Sequence, residues 1–170
     1  MQIADNVKAH LLVEVDGNNM NVLYQECEHI ADVMEDFDCG DILLADSNSQ
    51  KKKLWQLRRA VGEAVKANSV YKEEDTVVPR AELARLLKGV KKIGKKYGFK
   101  SVCYGHAGDG NLHVNIIKAD MSDEDWDINL TVGIREIFKL TKKLGGTISG
   151  EHGIGFVQKD YMDIVLSNKN

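Results

Sequence analysis

"KSVCYGHAGDGNLHVNII", Lys100–Ile117, decides how this chain is read. In its second half, alternation sets Leu112, Val114 and Ile116 on one face and His113 with Asn115 on the other. The apolar face predicts a strand packed on a core, and the polar face is turned toward something else. In "KSVCYGH" the same rule puts Tyr104 and His106 on one face. His106 and His113 are seven residues apart, which would place them on opposite faces of a continuous strand. The intervening "AGDGN" breaks the strand and can fold it back. A hairpin with two imidazoles side by side is therefore expected.

A second stretch, "GGTISGEHGIG" (Gly145–Gly155), shares its character, and the two together hold eight of the fifteen glycines. Glycine permits tight turns and close backbone approach. Here it pins an adjacent acid and base, Glu151 and His152, between Gly150 and Gly153. Two imidazoles and a carboxylate with open positions make a workable catalytic site for a divalent ion, and such a set accepts Zn, Mn or Fe. The candidate ligands are His106, His113 and Glu151, which leaves His152 for proton transfer. The same stretches also read as tight turns carrying solvated histidines. A phosphate cradle is disfavoured, because the G-K-[ST] ending and the strand–G-x-G-x-x-G–helix context are both missing. His10 and His29 are isolated and read as structural or solvated.

Outward from these motifs, "AHLLVEVDG" (Ala9–Gly17) reads as a strand and "DILLA" (Asp41–Ala45) as a short buried one. Between them, Leu23, Cys27, Ile30, Met34 and Phe37 recur at helical spacing. "DSNSQKKKLWQLRRAVGEAVKAN" is a second helix and "DTVVP" a β-like piece. Pro79, the only proline, suits the first turn of a helix that Gly98 closes. Ser122 and Asp125 open a last helix as a capping box, and Gly145 with Gly146 end it. The order predicts an α+β fold, a ferredoxin-like antiparallel sheet with helices packed on one face plus an inserted long helix. The 170 residues are expected to form a single domain.

At 43% apolar composition the chain reads as soluble and globular. A formal charge of −3 argues against nucleic acid as a partner. Three cysteines without C-x-x-C spacing suggest a reducing compartment. No apolar run reaches the length of a transmembrane segment and the N-terminus has no signal-peptide core, so the cytoplasm is the default expectation, with membrane association only through a partner.

With both motifs in view, "YGHAGDGNLHVN" followed by "GGTISGEHGIG" resembles the C-terminal (cap) domain of FAD-linked oxidases of the D-2-hydroxy-acid dehydrogenase type. "LLVEVDG", "LWQLRRAV" and "VVPRAELARLLKGV" are similar to the same family, so the resemblance covers nearly the whole chain. It implies the substrate- and metal-binding domain of an enzyme that oxidises a small 2-hydroxy acid, glycolate- or lactate-like, to the 2-oxo acid by hydride transfer to flavin. His106, His113 and Glu151 match metal ligands, His152 the catalytic base, and Asn115, Arg58 and Lys72 substrate-binding residues. FAD would be held mainly by an N-terminal FAD-binding domain, for which 170 residues leave no room, so this piece alone is expected to be inactive. An electron-transfer subunit is a further partner that the resemblance allows. From the residues alone, a metal-dependent hydrolase and a non-catalytic binding module stay open as alternatives.

Overall fold

The alternation in Asn111–Ile117 makes that segment the central strand of the sheet. A computed structural model describes residues 7–37 and 39–166, and the chain divides into two units, Met1–Val61 and Gly62–Asn170. In chain order the elements are α1 (Met20–Glu35), α2 (Asn48–Asn68), β1 (Tyr71–Val77), α3 (Leu83–Tyr97), β2 (Lys100–His106), β3 (Asn111–Ile117), α4 (Asp123–Lys143) and a short α5 (Met162–Val165). The three strands are antiparallel in the order β1-β3-β2. The fold is α+β, as expected.

In the second unit, α3 and α4 cover one sheet face. Leu86, Val90 and Ile93 recur every three or four residues on α3, and Ile134, Ile137 and Phe138 do so on α4. They join Leu112, Val114 and Ile116 in one core cluster. Val114 and Ile116 are fully buried, as the period-two reading requires. The boundaries follow the expected chemistry. Pro79 precedes the single 3-10 turn that leads into α3, and Gly98 ends α3 in the left-handed region at φ 80°. Ser122 Oγ accepts from the Asp125 amide (3.0 Å) and donates to the Asp125 carboxylate (2.8 Å), closing the N-terminus of α4. Ser122→Ala is expected to lower stability by about 1 kcal/mol, read as a shift of the urea midpoint with an unchanged slope.

The ferredoxin-like arrangement is carried by β1-α3-β2-β3-α4. Its fourth strand is reduced to one bridge, Val77 against Thr147, on the free edge of β1. Paired amide bonds of 3.1 and 2.9 Å make that bridge. The chain then leaves the ladder at Gly150 and returns to the core, where Tyr161 packs edge-on against Phe138 with centroids 5.1 Å apart.

Two expected strands are not found. Ala9–Gly17 and Asp41–Ala45 carry no strand, and Leu11, Val13, Ile42, Leu43 and Leu44 are exposed rather than buried. A strand is a relation between two segments, and alternation or apolarity reports only one of them. In α1 the half-buried residues include Leu23, Cys27, Ile30 and Met34, but the helix stops at Glu35 and Phe37 is 75% exposed. The first three residues of the "DTVVP" piece, Asp75–Val77, end a longer strand that begins at Tyr71. Its polar start, "YKEED", conceals it, because Lys, Glu and Asp are depleted in strands.

Candidate active site

On the sheet face away from α3 and α4, the register sets out rows of side chains. Asp75, His113 and Tyr104 form one row, Glu73, Asn115 and Val102 the next, and Val77, Asn111 and His106 a third. Directly paired residues point to the same side, so this face gathers three polar residues of β3, two acids of β1 and His106 of β2. Asn111, His113 and Asn115 are all buried. A polar face withdrawn from water needs partners, yet each of the three residues has a buried side-chain atom without a hydrogen-bond partner, Asn111 Oδ1 among them. Neither side-chain atom of Asn115 has a hydrogen-bond partner, and His113 Nδ1 has none.

The hairpin works as its glycines suggested. After β2 a 3-10 turn, Ala107–Asp109, leads to Gly110 at φ 71°. A Cβ there would overlap the Val78 carbonyl oxygen, so the turn requires glycine. His106 and His113 come to rest with ring centroids 5.9 Å apart.

The second motif closes over this face. Glu151 Oε1 stands 3.1 Å from His113 Nε2 and 3.9 Å from His106 Nε2. The His152 ring stacks on His113 with centroids 4.9 Å apart and an interplanar angle of 21°. The ligand atoms of His106, His113 and Glu151 all lie within 4.8 Å of one another. A divalent ion with bonds of about 2.0–2.2 Å holds its donors about 3–4 Å apart, so this set fits one after a small contraction. Burial pushes the His113 imidazole below its ordinary range, against the opposing pull of Asp75. That favours the neutral form, which is the form that binds metal. Glu73 forms a second grouping with His113 and His152, its Oε1 3.7 Å from His113 Nδ1.

Six of the expected site residues are located in the second unit. His106, His113, Asn115, Glu151 and His152 are placed on or over one face of its sheet. Lys72 is not brought to them. On β1 it alternates to the helix-covered face, where its ammonium stands 3.8 Å from Glu74 Oε1. Arg58 lies on α2 in the first unit, half-buried.

One residue of the site escaped the sequence reading. Asp75 Oδ2 accepts the backbone amides of Gly150 (2.8 Å), Glu151 (2.7 Å) and His152 (2.9 Å). Its Oδ1 accepts from Asn111 Nδ2 at 2.6 Å. Burial works to raise its pKa, but these four donors together hold the carboxyl below the usual range. The available signal was period two, which ties Asp75 to Glu73 on one face once Tyr71–Val77 is known to be a strand.

Comparison with known proteins supplies a family. The model of "FAD linked oxidases, C-terminal domain" matches residues 1–168. The chain is 35% identical over 157 residues to a D-lactate dehydrogenase of Anaerostipes hadrus, covering 92% of this chain and 33% of that protein. It is 32% identical over 167 residues to a glycolate oxidase subunit of Bacillus subtilis, covering 96% and 35%. A D-2-hydroxyglutarate dehydrogenase of Stutzerimonas stutzeri is 35% identical over 126 residues, covering 72% and 27%. The chain thus spans about a third of the length of the first two of these relatives. Among the described residues, no helix is long and apolar enough to cross a membrane.

Proposed function

The chain belongs to the family of FAD linked oxidase C-terminal domains, and on that premise we propose that it is the substrate- and metal-binding part of an FAD-dependent dehydrogenase acting on a small D-2-hydroxy acid. The observation that carries this reading is the convergence of His106, His113 and Glu151 within 4.8 Å, with His152 stacked beside them. The names of the relatives, dehydrogenases of D-lactate and D-2-hydroxyglutarate and a glycolate oxidase, agree on a 2-hydroxy acid.

His106, His113 and Glu151 would hold the ion. When bound, the ion supplies Lewis-acid polarisation and the flavin supplies an acceptor for the Cα hydride. The residues of this chain do the rest. His152, exposed at its rim and fixed by stacking on His113, takes the hydroxyl proton as the C–H and O–H bonds break and C=O forms. Asn115, buried with its donor and acceptor both unused, offers a hydrogen bond to the substrate. Arg58 is the proposed carboxylate binder, since its planar fork matches that group.

The test is anaerobic mixing of the full-length, FAD-loaded and metal-loaded protein with D-lactate, glycolate and D-2-hydroxyglutarate in turn. One of them is expected to bleach the oxidised flavin and yield the 2-oxo acid. No bleaching by any of the three, with metal content confirmed, rejects the reading.

A further inference from the structure

We propose that Asp75 is the positioning residue of the site: a single buried carboxylate on β1 that fixes the backbone of Gly150–His152, and through it places both Glu151 and His152 against His113. The proposal rests on the functional reading above for what the placed side chains do, but not for the placement itself.

Among the described residues, the backbone of the "GEHG" segment has no ladder or turn bond of its own to define its course, while its side chains reach His113. It begins where the fourth strand gives up its ladder after one bridge, and Glu151, His152 and Gly153 are all exposed. Among the described residues, no backbone–backbone hydrogen bond outside helices and strands uses the amides of 150, 151 or 152. All three converge instead on one oxygen, Asp75 Oδ2, at 2.7–2.9 Å. Three successive amides turned to one point form a concave nest for an anion, and Asp75 occupies it from within the fold. Charge-assisted bonds of this kind are about twice as strong as neutral ones.

The carboxylate is itself held rigidly. Asp75 is 1% exposed, and Asn111 donates to its other oxygen at 2.6 Å while also reaching the Thr76 carbonyl at 3.3 Å. Asp75 pairs with His113 across the β1–β3 ladder, so one row of the sheet carries both the central imidazole and the anchor of the loop. The loop approaches closely enough that a Cβ at Gly150 would overlap Asn111 Nδ2 and stand 3.0 Å from Asp75 Oδ1. Gly150 is therefore the contact point of the clamp. The consequence is geometric: a ligand and a proton acceptor on adjacent residues are set by the same group.

Amide hydrogen exchange on the intact chain, without metal, tests the placement. The amides of Gly150, Glu151 and His152 are expected to exchange at least tenfold more slowly than that of exposed Gly153. In Asp75→Asn, where one oxygen becomes a donor, that protection should vanish while Val114 and Ile116 in β3 keep theirs. Wild-type amides exchanging at the rate of Gly153, or an unchanged pattern in the variant, overturns the proposal. If Asp75→Asn also strips β3 of protection, Gly150→Ala decides, because it wedges the loop off the clamp and leaves the sheet residues intact. Retained protection at 151 and 152 in that variant likewise overturns it. Calorimetric titration with Mn(II) or Zn(II) reads the effect on the site, with affinity expected to fall about 10–100-fold in Asp75→Asn, the loss typical of groups that orient ligands. In the full-length, FAD-loaded protein at saturating metal, kcat should stay at least tenfold down with little change in KM, since excess metal cannot restore the position of His152. Full recovery of kcat overturns the placing of His152. A wild-type protein that binds no metal defeats the functional reading and leaves the exchange result to judge the clamp.

Discussion

Replacing His113 with alanine is expected to lower the affinity for Mn(II) or Zn(II) by at least about 100-fold, beyond the 10–100-fold that loss of an orienting group typically costs. The reason is its position. His113 stands between the other two proposed ligands and His152: its Nε2 is 3.1 Å from Glu151, and its ring lies 5.9 Å from that of His106 and 4.9 Å from that of His152. His106 and Glu151, both about half exposed, would be left as two ligands on a solvated rim. The cavity left on β3 would also remove the surface on which His152 stacks. His106→Ala should cost less, because it leaves the buried imidazole with Glu151 and His152. Metal analysis of both variants after dialysis, with circular dichroism to confirm the fold, checks the ranking. Equal metal retention by His113→Ala and wild type would defeat the site. Equal loss in the two variants would mean that the buried position of His113 confers no advantage.

Most of this site was legible in the sequence because β3 alternates cleanly. Leu112, Val114 and Ile116 declare one face, so His113 and Asn115 are assigned to the other without knowledge of any neighbour. The glycines around 105–110 and 145–155 then announce tight backbone. Asp75 was not legible, because "YKEED" looks like a solvated loop until the strand is known. Its function also lies in accepting backbone amides from 75 residues away, for which no side-chain pattern exists. Lys72 shows the converse. One step along a strand reverses the face, so a single residue of spacing separates the histidine face from the helix face. The two apolar stretches of the first unit mark the limit of such reading. Their hydrophobicity is plain, but a ladder needs a second segment, and the described residues provide none for them.

Glu74 carries the second large effect, on stability. It lies on the helix side of β1, opposite Val114 and fully buried. Desolvation drives its pKa up from 4.5 to about 7, against the pull of Lys72 and a 2.7 Å hydrogen bond from Gln158 Nε2. The hydrogen bonding points the same way. Glu74 Oε1 and Gln158 Oε1 are both buried without hydrogen-bond partners, and a neutral acid facing an amide could satisfy both with one added O–H bond. The folded state therefore binds a proton that the unfolded chain releases between pH 4.5 and about 7. Stability from this group is complete below pH 4.5 and is lost as pH rises through about 7, for a total of about 3 kcal/mol. Glu74→Gln keeps the size and the capacity to pair with Gln158 but carries no charge to desolvate. Urea unfolding of the two proteins should coincide near pH 4.5 and diverge as pH rises, with the variant more stable by up to about 3 kcal/mol at pH 8. The difference between the two curves isolates Glu74 from the histidines that titrate in the same range. A variant no more stable than wild type at pH 8 would mean that Lys72, 3.8 Å away, compensates the buried charge. The pair would then act as an ion pair at the edge of the core, with Glu74 buried and Lys72 half-buried, destabilised by removal of either partner, and Lys72→Met would distinguish that outcome by costing stability at pH 8 but not at pH 4.5.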